Sequence, residues 1–256
     1  MNFKNVIYEN VEGCARISIN RPPLNIINFE TLLELEAALE KAKNDASAAV
    51  IAITGVGDRA FCAGLDIKDH FPDRINAALN AFNKIFYTLK DVDKPTLAVV
   101  KGYALGGGCE LAIGCDMILA SEDAQFGLPE VTVGAMPPVA AALLPRLIGR
   151  KKAFELILTG DMINAVEAKQ IGLVNKVAPA EKLEEATKEF VEKLRSKSSV
   201  VLKLTRKALY EGVDLEFGKA LEKATEIYLN SLIKTEDAVE GLKAFLEKRK
   251  PQWKGK

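Results

Sequence analysis

The chain has 256 residues, with 35 Lys plus Arg balanced by 35 Asp plus Glu. A composition that is 48% hydrophobic and 27% charged excludes a disordered or fibrous chain and fits a soluble globule with a sizeable core. Zero formal net charge argues against nucleic acid as the main partner, because phosphate binding usually leaves a basic excess.

In chain order, β-rich runs at 6–8 and 15–19 precede a helix over about 29–43, whose Leu32, Leu33, Leu35, Ala38 and Leu39 recur at helical spacing. A buried-type strand at 49–54, a loop over 55–68, a helix over about 72–89 and an apolar strand at 96–100 follow. The glycines at 106–108 lead into a short helix, then a strand at 117–120 and a loop through 126–130. Beyond about residue 178 the pattern is purely helical, with a charged-face helix in EKLEEATKEFVEKLRS, a second at 200–210 and two more through 217–249. Strands alternating with helices predict an α/β fold, divided into a core over 1–196 and a helical assembly region over 197–256. The most apolar stretch, 131–148, is interrupted by Pro137, Pro138, Pro145 and Arg146, which predicts no membrane span. The N-terminus lacks the long apolar core of a signal peptide.

The cysteines at 14, 62, 109 and 115 form no C-x-x-C and no regular framework, as expected of reduced thiols in a cytoplasmic protein. Because His70 is the only histidine, histidine-rich metal sites and Ser-His-Asp or Cys-His catalysis compete for one ring. No metal site is expected. The segment Gly55-Val-Gly-Asp-Arg-Ala60 matches a loose dinucleotide fingerprint, but Phe61-Cys-Ala-Gly64 continues as a loop rather than opening a helix, so a plain turn is the better reading.

Lys101-Gly-Tyr-Ala-Leu-Gly-Gly-Gly-Cys-Glu110 sits at a strand-to-helix turn. Consecutive glycines let backbone approach a ligand, and free amides at a helix start favour developing negative charge; a tight packing turn is the equal alternative. Glu110 lies in the first turn of that helix, where complementing the helix dipole would be a sufficient role for a lone carboxylate. Glu130, 20 residues on, stands in an apolar, proline-punctuated stretch where an acid is unexpected. Two carboxyls in apolar surroundings, near amides that could hold an oxyanion, suit proton transfer next to a carbonyl.

The chain resembles the crotonase (enoyl-CoA hydratase/isomerase) superfamily over essentially its whole length. The resemblance is carried by residues 20–28, 61–68 (FCAGLDIK), 94–110 and 124–130, supported by 158–161, 168–174 and 244–250. It implies a spiral of repeated ββα units followed by a helical trimerisation region, a homotrimer or dimer of trimers, and an acyl-CoA substrate, with coenzyme A entering only as part of that substrate. It places the oxyanion-hole amides at Leu65 and Gly107, the water-activating base at Glu110 and the α-carbon proton donor at Glu130. It also places CoA contacts at Pro23, Leu24 and Lys68, and at Phe245 and Lys248 of a tail reaching a neighbouring subunit. Both glutamates together favour a hydratase over an isomerase that uses one, and over a non-catalytic or RNA-associated member of the fold. The stretch Met136-Pro-Pro-Val-Ala-Ala-Ala-Leu-Leu-Pro-Arg146 departs from the family's common P-G-A-G-G-T pattern. Together with 23–27 and 69–72, it is similar to the cyclohexa-1,5-diene-1-carbonyl-CoA hydratases, which implies a conjugated or cyclic dienoyl substrate. Cys62 and Cys109 are expected to be packing residues, and His70 is divided between the surface and the mouth of the site. Over 243–256 six basic residues stand against the single acid Glu247, which predicts a basic tail near a CoA phosphate.

Overall fold

A computed structural model describes residues 3–256. The first strands, β1 (Val6–Val11) and β2 (Cys14–Ile19), form an antiparallel hairpin, and β3 (Val50–Gly55) joins β2 in parallel after the helix α1 (Phe29–Asn44). From β3 onward the chain winds as a spiral in which each turn gives one strand to each of two sheets. The first turn supplies β3 and β4 (Ala60–Cys62), the next β5 (Thr96–Val100) and β6 (Tyr103–Leu105), the third β7 (Met117–Ser121) and β8 (Gln125–Gly127). Successive strands pair in parallel within each sheet. The strand β9 (Met162–Asn164) closes the smaller sheet antiparallel to β8, and β10 (Lys176–Ala178) extends the larger one beside β7. The larger sheet therefore has the order β1-β2-β3-β5-β7-β10, and the smaller β4-β6-β8-β9.

The near-continuous apolar runs of β3 and β5 follow from this arrangement, since both faces of the larger sheet are covered. Alternate residues part company: Ile51 and Ile53 join Leu35, Leu39 and Ile85 in the main core, whereas Val50 and Ala52 meet Leu183 and Val191 of α7 (Leu183–Arg195) on the other face. Between the first two spiral turns lies α2 (Ile75–Asp91), packed against α1. The short α3 (Gly107–Ile113) follows β6. After β8 a 3₁₀ turn over Pro129–Val133 leads to α4 (Pro138–Leu147), α5 (Arg150–Thr159) and α6 (Ala165–Gln170). The chain ends in α8 (Ser199–Gly212), α9 (Phe217–Asn230) and α10 (Glu236–Leu246).

The expected strands and helices are present; β6, β9, β10 and α4 to α6 were not assigned from sequence, and two supposed loops hold regular structure. The supposed loop over 55–68 contains β4 and the start of a 3₁₀ turn (Ile67–His70), and that over 126–130 contains the end of β8 and the start of another. These strands of the smaller sheet are three residues long, too short to show a period of two. The glycine-rich segment after β3 passes into strand β4, not into a helix, so the phosphate-binding geometry of a dinucleotide fold is absent there. No helix of the described residues is long and apolar enough to cross a membrane.

One side chain ties the terminal helices to the spiral. Arg206 of α8 is 7% exposed and donates to the Leu89, Lys90 and Val92 carbonyls at the end of α2. Its Nε lies 2.8 Å from Asp116, whose other oxygen accepts from Tyr210 at 2.6 Å. Asp116 also accepts from the Thr96 amide at 2.7 Å, carrying the link into β5. Removing one partner of a buried pair strands the other, so Arg206→Ala should cost about 3–5 kcal/mol. Chemical denaturation at fixed protein concentration measures this, and a loss below about 1 kcal/mol would contradict a clamp of this kind.

Candidate active site

The spiral stacks the ends of β4, β6 and β8 side by side, and the candidate groups lie on the segments that leave them. At the first, Gly64 and Leu65 follow β4; the Gly64 carbonyl accepts from Ile27 and the Asp66 amide donates to Ile27, which pins both sides of Leu65. The Leu65 amide makes no hydrogen bond among the described residues. At the second, Gly106 caps α3 with φ +54°, and Gly107 opens the helix, where an amide has no intrahelical acceptor. A Cβ on Gly64 would lie 3.8 Å from the Gly107 amide nitrogen, and the Leu65 side chain lies across Gly107. Two unengaged amides thus stand on adjacent turns of the spiral. Gly108 makes the approach possible, because a Cβ there would meet the Cys62 carbonyl oxygen at 2.1 Å.

Glu110 follows one helical step later and is 2% exposed. Its Oε1 accepts from the Val139 and Ala140 amides at 2.8 and 2.9 Å, so the carboxylate caps the N-terminus of α4. Pro138 occupies the first position of α4, where its missing N–H costs nothing, and Ala141 donates back to the Pro137 carbonyl. Burial pushes the Glu110 carboxyl up to about 7; the Ala140 and Val139 amides oppose the shift and the neighbouring Glu130 charge adds to it.

Glu130 reaches the same place from the 3₁₀ turn after β8. Its Oε1 would be 2.9 Å from a Cβ on Gly106, a position that must stay without a side chain for the carboxyl to fit. Its Oε2 is buried with no hydrogen-bond partner. Burial raises its proton affinity, its own backbone amide lowers it, and the His70 charge lowers it further. Each carboxyl raises the other's proton affinity, because two like charges in a poorly solvated site repel.

Leu24, on the 23–24 loop, lies beside this centre, its carbonyl accepting from the Ala63 amide at 3.0 Å. Pro23 is exposed at the rim. Lys68 is exposed on the turn after Leu65, and with Phe71, Asp73 and Arg74 it lines a cavity of about 260 Å³. Phe245 and Lys248 are not brought to the site within the chain: α10 packs mainly on α8 and the turn over Leu232–Lys234, and Phe245 is 83% exposed. The local basic excess of the tail is also smaller than its composition implies. Arg249 pairs with Glu240 and with Glu247 of the stretch itself, and Lys254 and Lys256 pair with Glu236; Glu236 and Glu240 lie just upstream of the basic stretch. Cys62 and Cys109 are buried thiols; burial pushes Cys62 up to about 12 and raises Cys109, which keeps both neutral as packing residues. A second cavity of about 290 Å³, under α7 on the far face of the larger sheet, contains none of these groups.

Sequence reasoning missed the Val139 and Ala140 amides and Arg74. A backbone donor leaves no side-chain signature, although two prolines ahead of an apolar helix do mark where such amides must lie. Arg74, six residues after Lys68, would have been found by asking which cations follow the turn.

The family model for enoyl-CoA hydratase/isomerase matches residues 9–256. The chain is 39% identical to the crotonyl-CoA hydratase of Syntrophomonas wolfei over 98% of both chains. It is 37% identical to the 2,3-dehydroadipyl-CoA hydratase of Escherichia coli over 94% of both. Among solved structures, the enoyl-CoA hydratase of Bacillus anthracis superimposes with a TM-score of 0.94 at 35% identity, covering 99% of this chain and 100% of that one.

The raised Glu110 carboxyl has a consequence for stability. A group whose folded value lies above its unfolded value binds more protons folded, so stability falls as pH rises from 4.5 to about 7 and stays low above it. Glu110→Gln keeps an oxygen for the two amides but carries no charge. It should match the parent near pH 4 and be more stable at pH 8, by at most about 3 kcal/mol. Denaturation at the two pH values measures the gap; an equal gap at both would contradict the account.

Proposed function

The chain belongs to the enoyl-CoA hydratase/isomerase family, and from that premise we propose that it adds water reversibly across the double bond of an enoyl-CoA thioester. The observation that carries this reading is the buried Glu110 carboxyl and the half-buried Glu130 carboxyl, whose Oε2 is shielded, beside two unengaged amides. The thioester oxygen is placed at the Leu65 and Gly107 amides. Water held between the glutamates loses a proton to Glu110 as its oxygen bonds to the β-carbon, and the alkene electrons move onto the thioester oxygen as an enolate. The enolate then takes a proton at the α-carbon from Glu130, and proton exchange between the glutamates or with solvent restores the starting state. Loss of one oxyanion donor typically costs about 10²–10³ in rate.

Glu110 shows the larger upward shift because it is more deeply buried. Its assignment as base rests on the two α4 amides, which favour its charged form, and on their hold on Oε1, which leaves Oε2 for water. Glu130, with no side-chain or helix-terminal donor on Oε2, is the better carrier of a proton.

For the acyl group, the reading extends to a conjugated or cyclic dienoyl thioester. The support is the departure at 136–146, where Met136 and Val133 expose apolar side chains next to the Glu110-bound start of α4. Pro137 and Pro138 stiffen that wall. CoA is assigned to Pro23, Leu24 and Lys68, with Arg74 added from the structure; charged donors suit phosphate. Phe245 and Lys248 are assigned to the CoA of a neighbouring copy, since they lie away from the site of their own chain.

Crotonyl-CoA and a cyclic dienoyl-CoA should both be tried, following loss of enoyl-thioester absorbance. Glu110→Gln and Glu130→Gln should each lower the rate about 10²–10⁴-fold. Exchange of the α-protons of a saturated acyl-CoA with deuterated water should survive Glu110→Gln and vanish in Glu130→Gln. Exchange lost in the first and kept in the second would reverse the roles. Double-bond migration without hydration would replace the reading with an isomerase.

A further inference from the structure

Residues 24–29 run alongside residues 60–69, and Leu65 lies in the middle of that pairing. Asn25 fastens one end: it is fully buried, and its Nδ2 donates to the Val56 and Ala60 carbonyls at 3.0 and 2.7 Å. The Leu24 carbonyl then accepts from Ala63. Ile27 bridges Leu65 in parallel, its amide donating to the Gly64 carbonyl at 2.9 Å and its own carbonyl accepting from Asp66 at 2.7 Å. Asp69 fastens the other end, where its Oδ2 accepts from the Phe29 amide at 2.8 Å.

This last contact joins a turn to a rigid body. Phe29 opens α1, so its N–H has no intrahelical acceptor, and the Asn28 cap satisfies a different amide, that of Thr31 at 3.0 Å. The helix itself is anchored by Leu32, Leu35 and Leu39, all fully buried in the main core. In the 3₁₀ turn over Ile67–His70 the balance is reversed: Ile67, Lys68 and the following Phe71 are exposed, and Asp69 is the buried residue. His70 is half-buried, with Nδ1 3.1 Å from the Asp66 carbonyl of the same turn, and the Asp69 amide donates to that carbonyl at 2.9 Å. The turn is thus closed on itself at Asp66 and tied to α1 through the Asp69 carboxyl. An acidic acceptor suits a helix N-terminus.

We propose that Asp69 is a positioning residue for the oxyanion site: its bond to the Phe29 amide fixes the turn that follows Leu65, and so aims the Leu65 amide at the thioester oxygen. The inference rests on the reading above, in which Leu65 and Gly107 share that oxygen. Ile27 holds the peptide groups on either side of Leu65 at one bridge, which leaves a hinge. A second fixed point four residues on removes it. Aim matters because an oxyanion donor acts only within hydrogen-bond distance of the place where charge develops. Asp69 therefore acts through Leu65 and not on the substrate.

The test observes the amide through its ligand. A saturated acyl-CoA with carbon-13 at the thioester carbonyl is bound at saturation to the full-length protein, and its infrared carbonyl stretch should lie below the value in water, since two donors polarise the bond. Asp69→Ala should return part of that downshift and lower kcat for hydration of crotonyl-CoA about 10–10²-fold. Phe29→Pro removes the donor instead: proline fits the first helical position, Asn28 before it is already extended with ψ 174°, and the Phe29 ring is exposed. It should reproduce both losses, and the double variant should be no worse than the worse single one, because both changes break one bond. Asp69→Asn keeps an acceptor for the Phe29 amide and should restore both readings. Lys68 lies on the same turn, so a change in KM reports on CoA and not on the amide. Parent frequency and parent kcat in Asp69→Ala and Phe29→Pro, or losses that multiply in the double variant, would overturn the role of Asp69 and leave the hydratase reading intact. An unshifted carbonyl in the parent would overturn its placement at Leu65 and Gly107, and this inference with it.

Discussion

The hydrogen bonds from the Val139 and Ala140 amides to Glu110 Oε1 are the constraint on which the site depends. They join two elements that are otherwise far apart in sequence, the short helix after β6 and the helix after the Glu130 turn. A carboxylate in apolar surroundings is costly unless hydrogen-bonded, and helix-terminal amides are costly unless capped, so each satisfies the other. The arrangement also decides chemistry. One oxygen is spoken for, the other accepts no hydrogen bond among the described residues, and the group remains able to change protonation near neutral pH because burial and amide bonding act in opposite directions.

The spiral explains why groups 20 residues apart meet. Each turn places its smaller-sheet strand beside the last, so the segments after β4, β6 and β8 deliver Leu65, the Gly106–Glu110 run and Glu130 to one place. Close approach needs residues without side chains at the crossing points. Gly108 under the Cys62 carbonyl and Gly106 under Glu130 are such points. Loss of either space would move an amide or a carboxyl, and the chemistry with it.

Much of this was legible in the sequence, for stated reasons. The helices and the fully buried strands β3 and β5 announce themselves by length and by apolar runs, and the glycine triplet marks a close backbone turn. Glu130 was visible as an acid out of place in an apolar stretch, whereas Glu110 alone read as a complement to its helix dipole and drew notice only beside Glu130. The smaller sheet was not, because three-residue strands carry no periodic signal. Nor were the amides of Val139 and Ala140, since a backbone donor is the same in every residue but proline. The basic tail shows the opposite failing: composition counted its charges correctly, but folding set Glu236 and Glu240 against them, so a local excess in sequence became a set of ion pairs in space.

The account's central claim is spatial: the thioester oxygen sits at the Leu65 and Gly107 amides, with the reacting oxygen between Glu110 and Glu130. A crystal structure with a bound 3-hydroxyacyl-CoA tests it most directly. The account predicts both amide nitrogens about 2.7–3.1 Å from the thioester oxygen, and the 3-hydroxyl within hydrogen-bond distance of both carboxyls. A thioester oxygen bound elsewhere, or a hydroxyl touching neither glutamate, would contradict it.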